Sequence, residues 1–477
     1  MTILVAFLKK VLPSLIAFCL CSGVALAASS VAITLDLKSP GATISSNFIG
    51  LSYEMSLVGP ATNGEYFFSA ANKPLVKMFQ TLGIQSLRVG GNTAERETVK
   101  IPDKADIDSL FAFARAAGVK VIYTLRLNGN NPVDAAKAAK YIMDNYRPEL
   151  TCFALGNESD KLFKDSQAYG QAIRDYMAVI NAATNAPEAV FCGPSTMHKN
   201  VQWANDFAKA FAHNKHIMMV TQHQYPGGSG RVATNAVAAC EKLLSRDLLN
   251  VYQKLHDNFV PAVLSSGLQY RLEEANSFSN GGAAGASDAF ASALWGLDYM
   301  YWWADHGAAG INFHTAGYVG GMRPPGTKYV VFWNSPEGFA VRPLGYAIKA
   351  FDLGGHGQLV PVNFTSNTDQ INLTAYGALS NNGSLCITLI NKETDHTRDA
   401  NVTIAPGRSY TRGQIMFLTA PHSDITTTAG VTLGGAPIKD HGSWSGRWTS
   451  LAAPFTNGQF SAKVPAAAAA IVQLTSE

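Results

Sequence analysis

Charge is scarce in this chain. Asp, Glu, Lys and Arg make up 15% of its 477 residues, and the formal net charge is only +3. With 47% hydrophobic residues, that balance excludes a disordered or coiled-coil protein and lets the chain bury a large core. It gives no global argument for nucleic-acid binding, while leaving room for a local basic cleft that takes an acidic sugar. Cysteine is sparse too. Of six, Cys19 and Cys21 fall in the first 27 residues, leaving Cys152, Cys192, Cys240 and Cys386. These four contain no CxxC pair and no Cys/His cluster at metal spacing, so no metal site and no cofactor are expected. Some of the four can pair in an exported protein, but Cys152 and Cys192 lie in apolar strand-like runs, where buried free thiols are common. Beyond residue 27 no segment is long and apolar enough to cross a membrane. There is no internal repeat, and the alanine run 466–470 is the only low-complexity stretch.

The beginning of the chain reads as an address rather than as fold. Lys9-Lys10 precede an apolar run from Val11 to Ala27 that ends Ala25-Leu26-Ala27. A basic patch, an apolar stretch and a small-x-small end make a secretory signal. Pro13, Ser14, Ser22 and Gly23 interrupt the run, which favours cleavage over a membrane anchor. The mature chain is expected to begin near Ala28 and to be secreted or periplasmic, with no membrane association after cleavage. Cleavage takes away two lysines and no acids, lowering the formal charge from +3 to +1.

Eight short β-like runs follow: Ile49–Glu54, Ser86–Gly91, Lys120–Leu127, Thr151–Glu158, Ala189–Ser195, Met218–Tyr225, Leu268–Asn276 and Gly310–His314. Helical patterns separate them. Asn72 and Pro74 open one whose apolar positions Leu75, Val76, Phe79 and Leu82 share a face. Others are Ala105–Ala117, Val133–Tyr146, Ala168–Ala182 and Asn235–Asp257, and Ser287 is placed to cap the last, through Trp295, Tyr299 and Trp303. Eight strands alternating with helices over some 300 residues predict an α/β fold, a (β/α)₈ barrel over residues 47–354. The competing doubly wound sheet needs a glycine-rich phosphate turn, which Val89-Gly90-Gly91-Asn92 only weakly approximates.

After about residue 355 helical patterns stop. Runs such as Ile371–Tyr376, Leu385–Ile390, Ala400–Ile404, Gln414–Leu418 and Ala469–Leu474 are broken by Gly, Asn, Ser and Pro, the texture of a β-sandwich. Val31–Leu37, within residues 28–46, alternates like a strand but has no barrel partner, and is expected to join that C-terminal sandwich of residues 355–477.

In a barrel the site is assembled at the C-terminal ends of the strands. Glu54, Asn92, Glu158, Tyr225, Glu274 and His314 all fall there. A carboxylate closing a buried apolar strand is costly unless it is paired or working. Two of them, on separate strands, are what a glycosidase uses as proton donor and as nucleophile or base. Glu158, in Gly156-Asn157-Glu158, suits the donor, with the Asn157 amide beside it to hold a sugar hydroxyl; its bland reading is a cap for the following helix. The second carboxylate is Glu273 or Glu274. Successive strand residues face opposite sides, so one points into the barrel mouth and the other meets a helix or solvent. Tyr225 can donate to the inward carboxylate, and Arg88 can keep it ionised. Each of these, and His223 more so, can instead be a satisfied core residue.

Four motifs, Gly50-Leu51-Ser52-Tyr53-Glu54, Leu87-Arg88-Val89-Gly90-Gly91-Asn92, Leu155-Gly156-Asn157-Glu158 and Arg271-Leu272-Glu273-Glu274-Ala275-Asn276-Ser277, with Gly281-Gly282 and Ser287-Asp288-Ala289-Phe290 downstream, resemble those of clan A retaining glycosidases. The resemblance is strongest to glycoside hydrolase family 79, the β-glucuronidase and heparanase group. It implies Glu158 as acid/base and Glu274 as nucleophile, with Asn157 at the sugar 2-hydroxyl, Glu54 at other ring hydroxyls and Tyr225 beside Glu274. It further implies that backbone amides at Asn280 and Gly281, and Tyr318 after the eighth strand, hold the uronate carboxylate. The chain departs from some relatives at Ser279, where they carry tyrosine, and at Asn280, where a relative has glycine. The implied activity is hydrolysis of terminal β-D-glucuronides in a carbohydrate substrate. The alternatives are an endo-acting, heparanase-like enzyme with a cleft lined by Lys and Arg, and, from another class, a non-catalytic glycan-binding protein.

Overall fold

A computed structural model describes residues 29–184, 190–317, 326–365 and 371–476. The expected signal, residues 1–27, and Tyr318 lie outside the described residues. Eight parallel strands close into a barrel: Ile49–Glu54, Ser86–Gly90, Lys120–Leu125, Leu150–Leu155, Phe191–Met197, Ile217–Gln224, Gln269–Ala275 and Gly310–His314, the eighth pairing back with the first. All eight sequence runs are therefore strands of one barrel, with ends shifted by a few residues.

The helices form where apolar spacing, caps and stop signals agree. Lys73–Leu82 has Asn72 as its N-cap, accepting from Leu75 N, and ends at Gly83 with φ +74°. Lys104–Ala117 carries a capping box between Asp103 and Asp106. Two expectations need correction. The long pattern at Asn235–Asp257 is two helices, Ala236–Leu244 and Asp247–Ser265, because the chain turns extended at Ser245. Ser287 does not cap Phe290–Asp305, whose N-cap is Ala289 with no side-chain bond. The Ser287 hydroxyl accepts from Ser277 Oγ at 2.8 Å and from Ala283 N at 2.9 Å, closing the loop that follows the seventh strand.

The lower barrel interior is filled by Ile122, Cys152, Ala154, Cys192 and Met219. Four cysteines are free and buried: Cys152, Cys192, Cys240 and Cys386.

The N-terminal strand Ser29–Leu35 pairs parallel with Ala400–Ala405 and antiparallel with Val362–Phe364, in a four-stranded sheet with Phe460–Val464. That sheet shares a core with a larger antiparallel sheet through Val31, Ile33, Leu385, Ile387, Val402, Val472 and their neighbours. The sandwich is fixed to the barrel by the helix Phe290–Asp305, which is buried over nearly its whole circumference. Asp298 on it accepts from Lys392 at 2.6 Å, Thr374 at 2.7 Å and Tyr376 at 2.8 Å. Three donors satisfy a charge that would otherwise be costly to bury. No helix among the described residues is long and apolar enough to cross a membrane.

Candidate active site

The C-terminal mouth of the barrel gathers residues from seven of the eight strands or the turns just past them. Arg88, from the second strand, is fully buried at its centre. Its Nη1 donates to Glu274 Oε2 at 2.8 Å and to Ser52 Oγ at 3.1 Å, and its Nη2 donates to Asn157 Oδ1 at 2.6 Å. Tyr225 donates its hydroxyl to the other Glu274 oxygen, Oε1, at 2.8 Å. Burial alone pushes the Glu274 carboxyl up, but His314, His223, Arg88 and the Tyr225 hydroxyl outweigh it and hold it far below the ordinary carboxylate range. Glu274 is thus a fully ionised carboxylate with both oxygens held.

Glu158 sits opposite, past the fourth strand, buried and with φ +48°. Its backbone N–H bonds Ser195 O at 2.8 Å, which turns the side chain toward the barrel axis. Glu158 caps no helix with its side chain. His223, from the sixth strand, lies between the two glutamates, its Nδ1 3.5 Å from Glu158 Oε1 and 3.8 Å from Glu274 Oε1. Those two oxygens are therefore no farther apart than the two distances together, about 7 Å. Lys161, one turn on, places its ammonium on Glu158 Oε2.

Glu54 closes the first strand and is half-buried. Its Oε2 accepts from Thr93 N at 2.7 Å and Thr93 Oγ1 at 2.5 Å, and His314 Nε2 stands 3.7 Å from Oε1. Burial raises its pKa, but His314 and Thr93 prevail and hold it below the usual value. Gly91 is required here: at φ +67° a Cβ would meet the Glu54 carboxyl at 2.6 Å. Asn157 N donates to Glu95 Oε1 at 3.1 Å, so the amide beside Glu158 is braced from below.

The loop after the seventh strand carries Asn280, φ +56°, whose Nδ2 donates to Ser229 Oγ at 3.0 Å, and Gly281, φ +86°. No backbone carbonyl among the described residues accepts from the Asn280 or Gly281 amide, and the Gly281 amide faces the Tyr329 hydroxyl. Gly281 O accepts from Lys328 N at 2.5 Å, which brings Tyr329 alongside the loop. The Tyr329 ring lies 6.0 Å from that of Tyr225 and 5.9 Å from that of His314, and Asn276 Nδ2 fixes the Tyr329 and His314 carbonyls at 3.1 and 2.9 Å. Tyr329 is a site residue that the sequence reading did not single out.

One expectation fails. Glu273 meets neither a helix nor solvent. It is fully buried, with Oε1 3.9 Å from Arg88 Nη2 and 3.6 Å from His223 Nε2. Arg271, two residues earlier, already faces the barrel interior, so alternation puts Glu273 inside, and a β-bulge turns Glu274 to the same side. On one side Gln222 pairs with Leu272 and the next residue, His223, with Glu274; on the other, Ile311 pairs with Leu272 and Phe313 with Ala275. The register skips Glu273 on both edges, and alternation is lost where it mattered.

Glu158, Glu274, Asn157, Glu54, Tyr225 and Arg88 are therefore brought into one cluster, with Asn280 and Gly281 in the loop bordering it. His223, His314, Lys161, Glu273 and Tyr329 complete it. Among the described residues no group of His, Cys, Asp and Glu is arranged to hold a metal ion.

No family model matches the chain. In sequence it is similar to a β-glucuronidase of Aspergillus niger, 26% identical over 303 residues, covering 55% of this chain and 52% of that protein. The chain thus matches about half the length of that curated relative. In fold it is similar to a 4-O-α-L-rhamnosyl-β-D-glucuronidase from Fusarium oxysporum, with a TM-score of 0.72 at 16% identity over 94% of this chain and all of that one. It is also similar to an arabinofuranosidase of glycoside hydrolase family 51 from Xanthomonas axonopodis pv. citri, with a TM-score of 0.67 at 14% identity over the same shares. The chain has the TIM-barrel fold of these glycoside hydrolases, and its resemblance is to the family 79 group.

Proposed function

We propose that this protein is a retaining β-glucuronidase that removes terminal β-D-glucuronic acid by double displacement. The observation that carries the reading is the pair of carboxylates from the fourth and seventh strand ends, both against His223 Nδ1, with one of them held ionised by Arg88 and Tyr225. In the first step a Glu274 oxygen bonds to the anomeric carbon as the glycosidic C–O bond breaks and the Glu158 proton passes to the leaving oxygen. In the second, water attacks that carbon, Glu158 takes its proton, and the glycosyl ester to Glu274 breaks. Asn157, held by Arg88, faces the 2-hydroxyl, and Glu54 takes other ring hydroxyls.

The choice of a uronate rests on the similarity to a β-glucuronidase and on the loop chemistry. Backbone N–H groups at Asn280 and Gly281 that no described carbonyl takes form charge-assisted bonds to an anion well, and the Tyr329 hydroxyl stands beside the Gly281 amide as a further donor. We assign Tyr329 the role that the family resemblance placed on Tyr318. Export through the N-terminal signal is part of the same proposal.

The test is a screen of wild type over an aryl β-D-glucuronide, the matching β-D-glucoside and a heparan oligosaccharide. Preference for the aryl glucuronide is expected. Equal or better glucoside hydrolysis overturns the uronate assignment, cleavage of the oligosaccharide alone favours endo action, and no hydrolysis of any of them favours the glycan-binding reading.

A further inference from the structure

A second ionised carboxylate next to the nucleophile is an expensive feature. Burying one charge costs several kcal/mol unless it is paired, and a like charge on the adjacent residue raises that cost. The chain nevertheless places Glu273 beside Glu274, and it distorts the seventh strand to do so. Glu273 is fully excluded from solvent. Burial raises its pKa, but Arg88 and His223 outweigh this and hold it below the ordinary range. It faces Arg88 Nη2 at 3.9 Å, His223 Nε2 at 3.6 Å and Cys192 Sγ at 4.0 Å.

Two of these neighbours, Arg88 and His223, also touch the catalytic pair or the residue beside it. Arg88 gives Nη1 to Glu274 and Nη2 to Asn157, the residue preceding Glu158. His223 turns Nδ1 to both Glu158 and Glu274. In each case the nitrogen on the far side of the same side chain faces Glu273. A guanidinium attracted only by Glu274 is free to rotate into a symmetric, two-pronged pair with it, which would withdraw Nη2 from Asn157. A charge at Glu273 opposes that rotation and orients the imidazole as well.

We infer that Glu273 is a positioning residue whose negative charge, set beside Glu274 inside the barrel by the bulge, divides Arg88 between nucleophile and Asn157 and fixes His223 between the two catalytic glutamates. The inference rests on the reading of Glu158 and Glu274 as the catalytic pair. It predicts that charge matters here more than shape. Glu273→Gln keeps the size and loses the charge; Glu273→Asp keeps the charge and loses a methylene.

The experiment measures kcat and KM of wild type and both variants on an aryl β-D-glucuronide, with Tm as the control for folding. The expected result is a kcat loss of about 10–100-fold in Glu273→Gln, the scale of a small misplacement of reacting groups, with KM within a few-fold and Glu273→Asp retaining the higher kcat. Gln matching or exceeding Asp overturns the inference, since packing alone then accounts for the residue. If wild type hydrolyses another aryl glycoside but not the glucuronide, the substrate reading fails and the same ranking on that glycoside decides the role of Glu273. The crystal structure of Glu273→Gln needs no turnover. Arg88 rotated onto Glu274 and away from Asn157 supports the inference, and unchanged Arg88 and His223 side chains overturn it.

Discussion

Arg88 Nη1 lies 2.8 Å from Glu274 Oε2, and both side chains are buried. This pair keeps the proposed nucleophile ionised and points it across the barrel mouth. Breaking a buried pair from one side leaves the other charge uncompensated, at a cost of about 3–5 kcal/mol. Here two carboxylates depend on the same guanidinium. Arg88→Met is therefore expected to lower stability by at least about that amount, and to abolish measurable turnover in the fraction that folds. Chemical denaturation together with an aryl-glucuronide assay checks this. A variant of near wild-type stability and activity would show that Glu274 does not rely on Arg88.

Lys161 lies one turn beyond Glu158 and holds its Oε2. An adjacent ammonium favours the ionised form of a carboxyl that has to carry a proton to act. Lys161 is 60% exposed, so screening keeps the effect small. Lys161→Met is expected to move the alkaline limb of the kcat/KM profile to higher pH by a few tenths of a unit, as a small exposed effect should. A limb that moves to lower pH contradicts this pairing.

Stability should fall in acid. Glu54, Glu273 and Glu274 have folded-state pKa values below the ordinary 4.5. Carboxyls of this kind contribute stability that is fully present above 4.5 and is lost as pH falls below it toward their lowered values. Glu95 has the opposite sign, because burial holds it above 4.5, but it is outnumbered by these and by lowered aspartates such as Asp352. Tm should therefore decline below pH 4.5, and more shallowly in Glu274→Gln, which lacks the most depressed group. An identical decline in the variant would place the acid sensitivity elsewhere.

The barrel was legible because the eight apolar runs and the helical patterns between them obey different periods, and the catalytic candidates because each carboxylate ends such a run. The bulge at Glu273 was not legible. Alternation is the only local rule a strand obeys, and a bulge is its suspension. His223 read as a core residue because a lone histidine on an apolar strand says nothing of the two glutamates that the fourth and seventh strands bring to it. Tyr329 depends on a loop returning to Gly281, a contact between residues 47 apart in pairing. Ser287 looked like a helix cap because serine before an apolar helix usually is one; its hydroxyl is instead committed to Ser277.

Tyr329 offers a direct test of the uronate pocket. Tyr329→Phe removes one hydroxyl and keeps the ring against Tyr225 and His314. A hydrogen bond to a charged group contributes about 1.5–3 kcal/mol, so kcat/KM for the aryl glucuronide should fall roughly 10–100-fold while any glucosidase activity hardly changes. Equal losses on both substrates would mean that the ring supports the site without reading the carboxylate.

The central claim is double displacement on a β-glucuronide. An inverting pair needs about 6.5–9.5 Å between carboxyls to admit water, and a retaining pair about 5–5.5 Å; the retaining assignment rests on the family resemblance, and the first-formed anomer tests it. Proton NMR of an aryl β-D-glucuronide during the first minutes of hydrolysis decides the matter, because the anomer formed first is seen before mutarotation mixes it. The account predicts β-D-glucuronic acid as that first product. An α-anomer appearing first, or an unconsumed glucuronide, would contradict it.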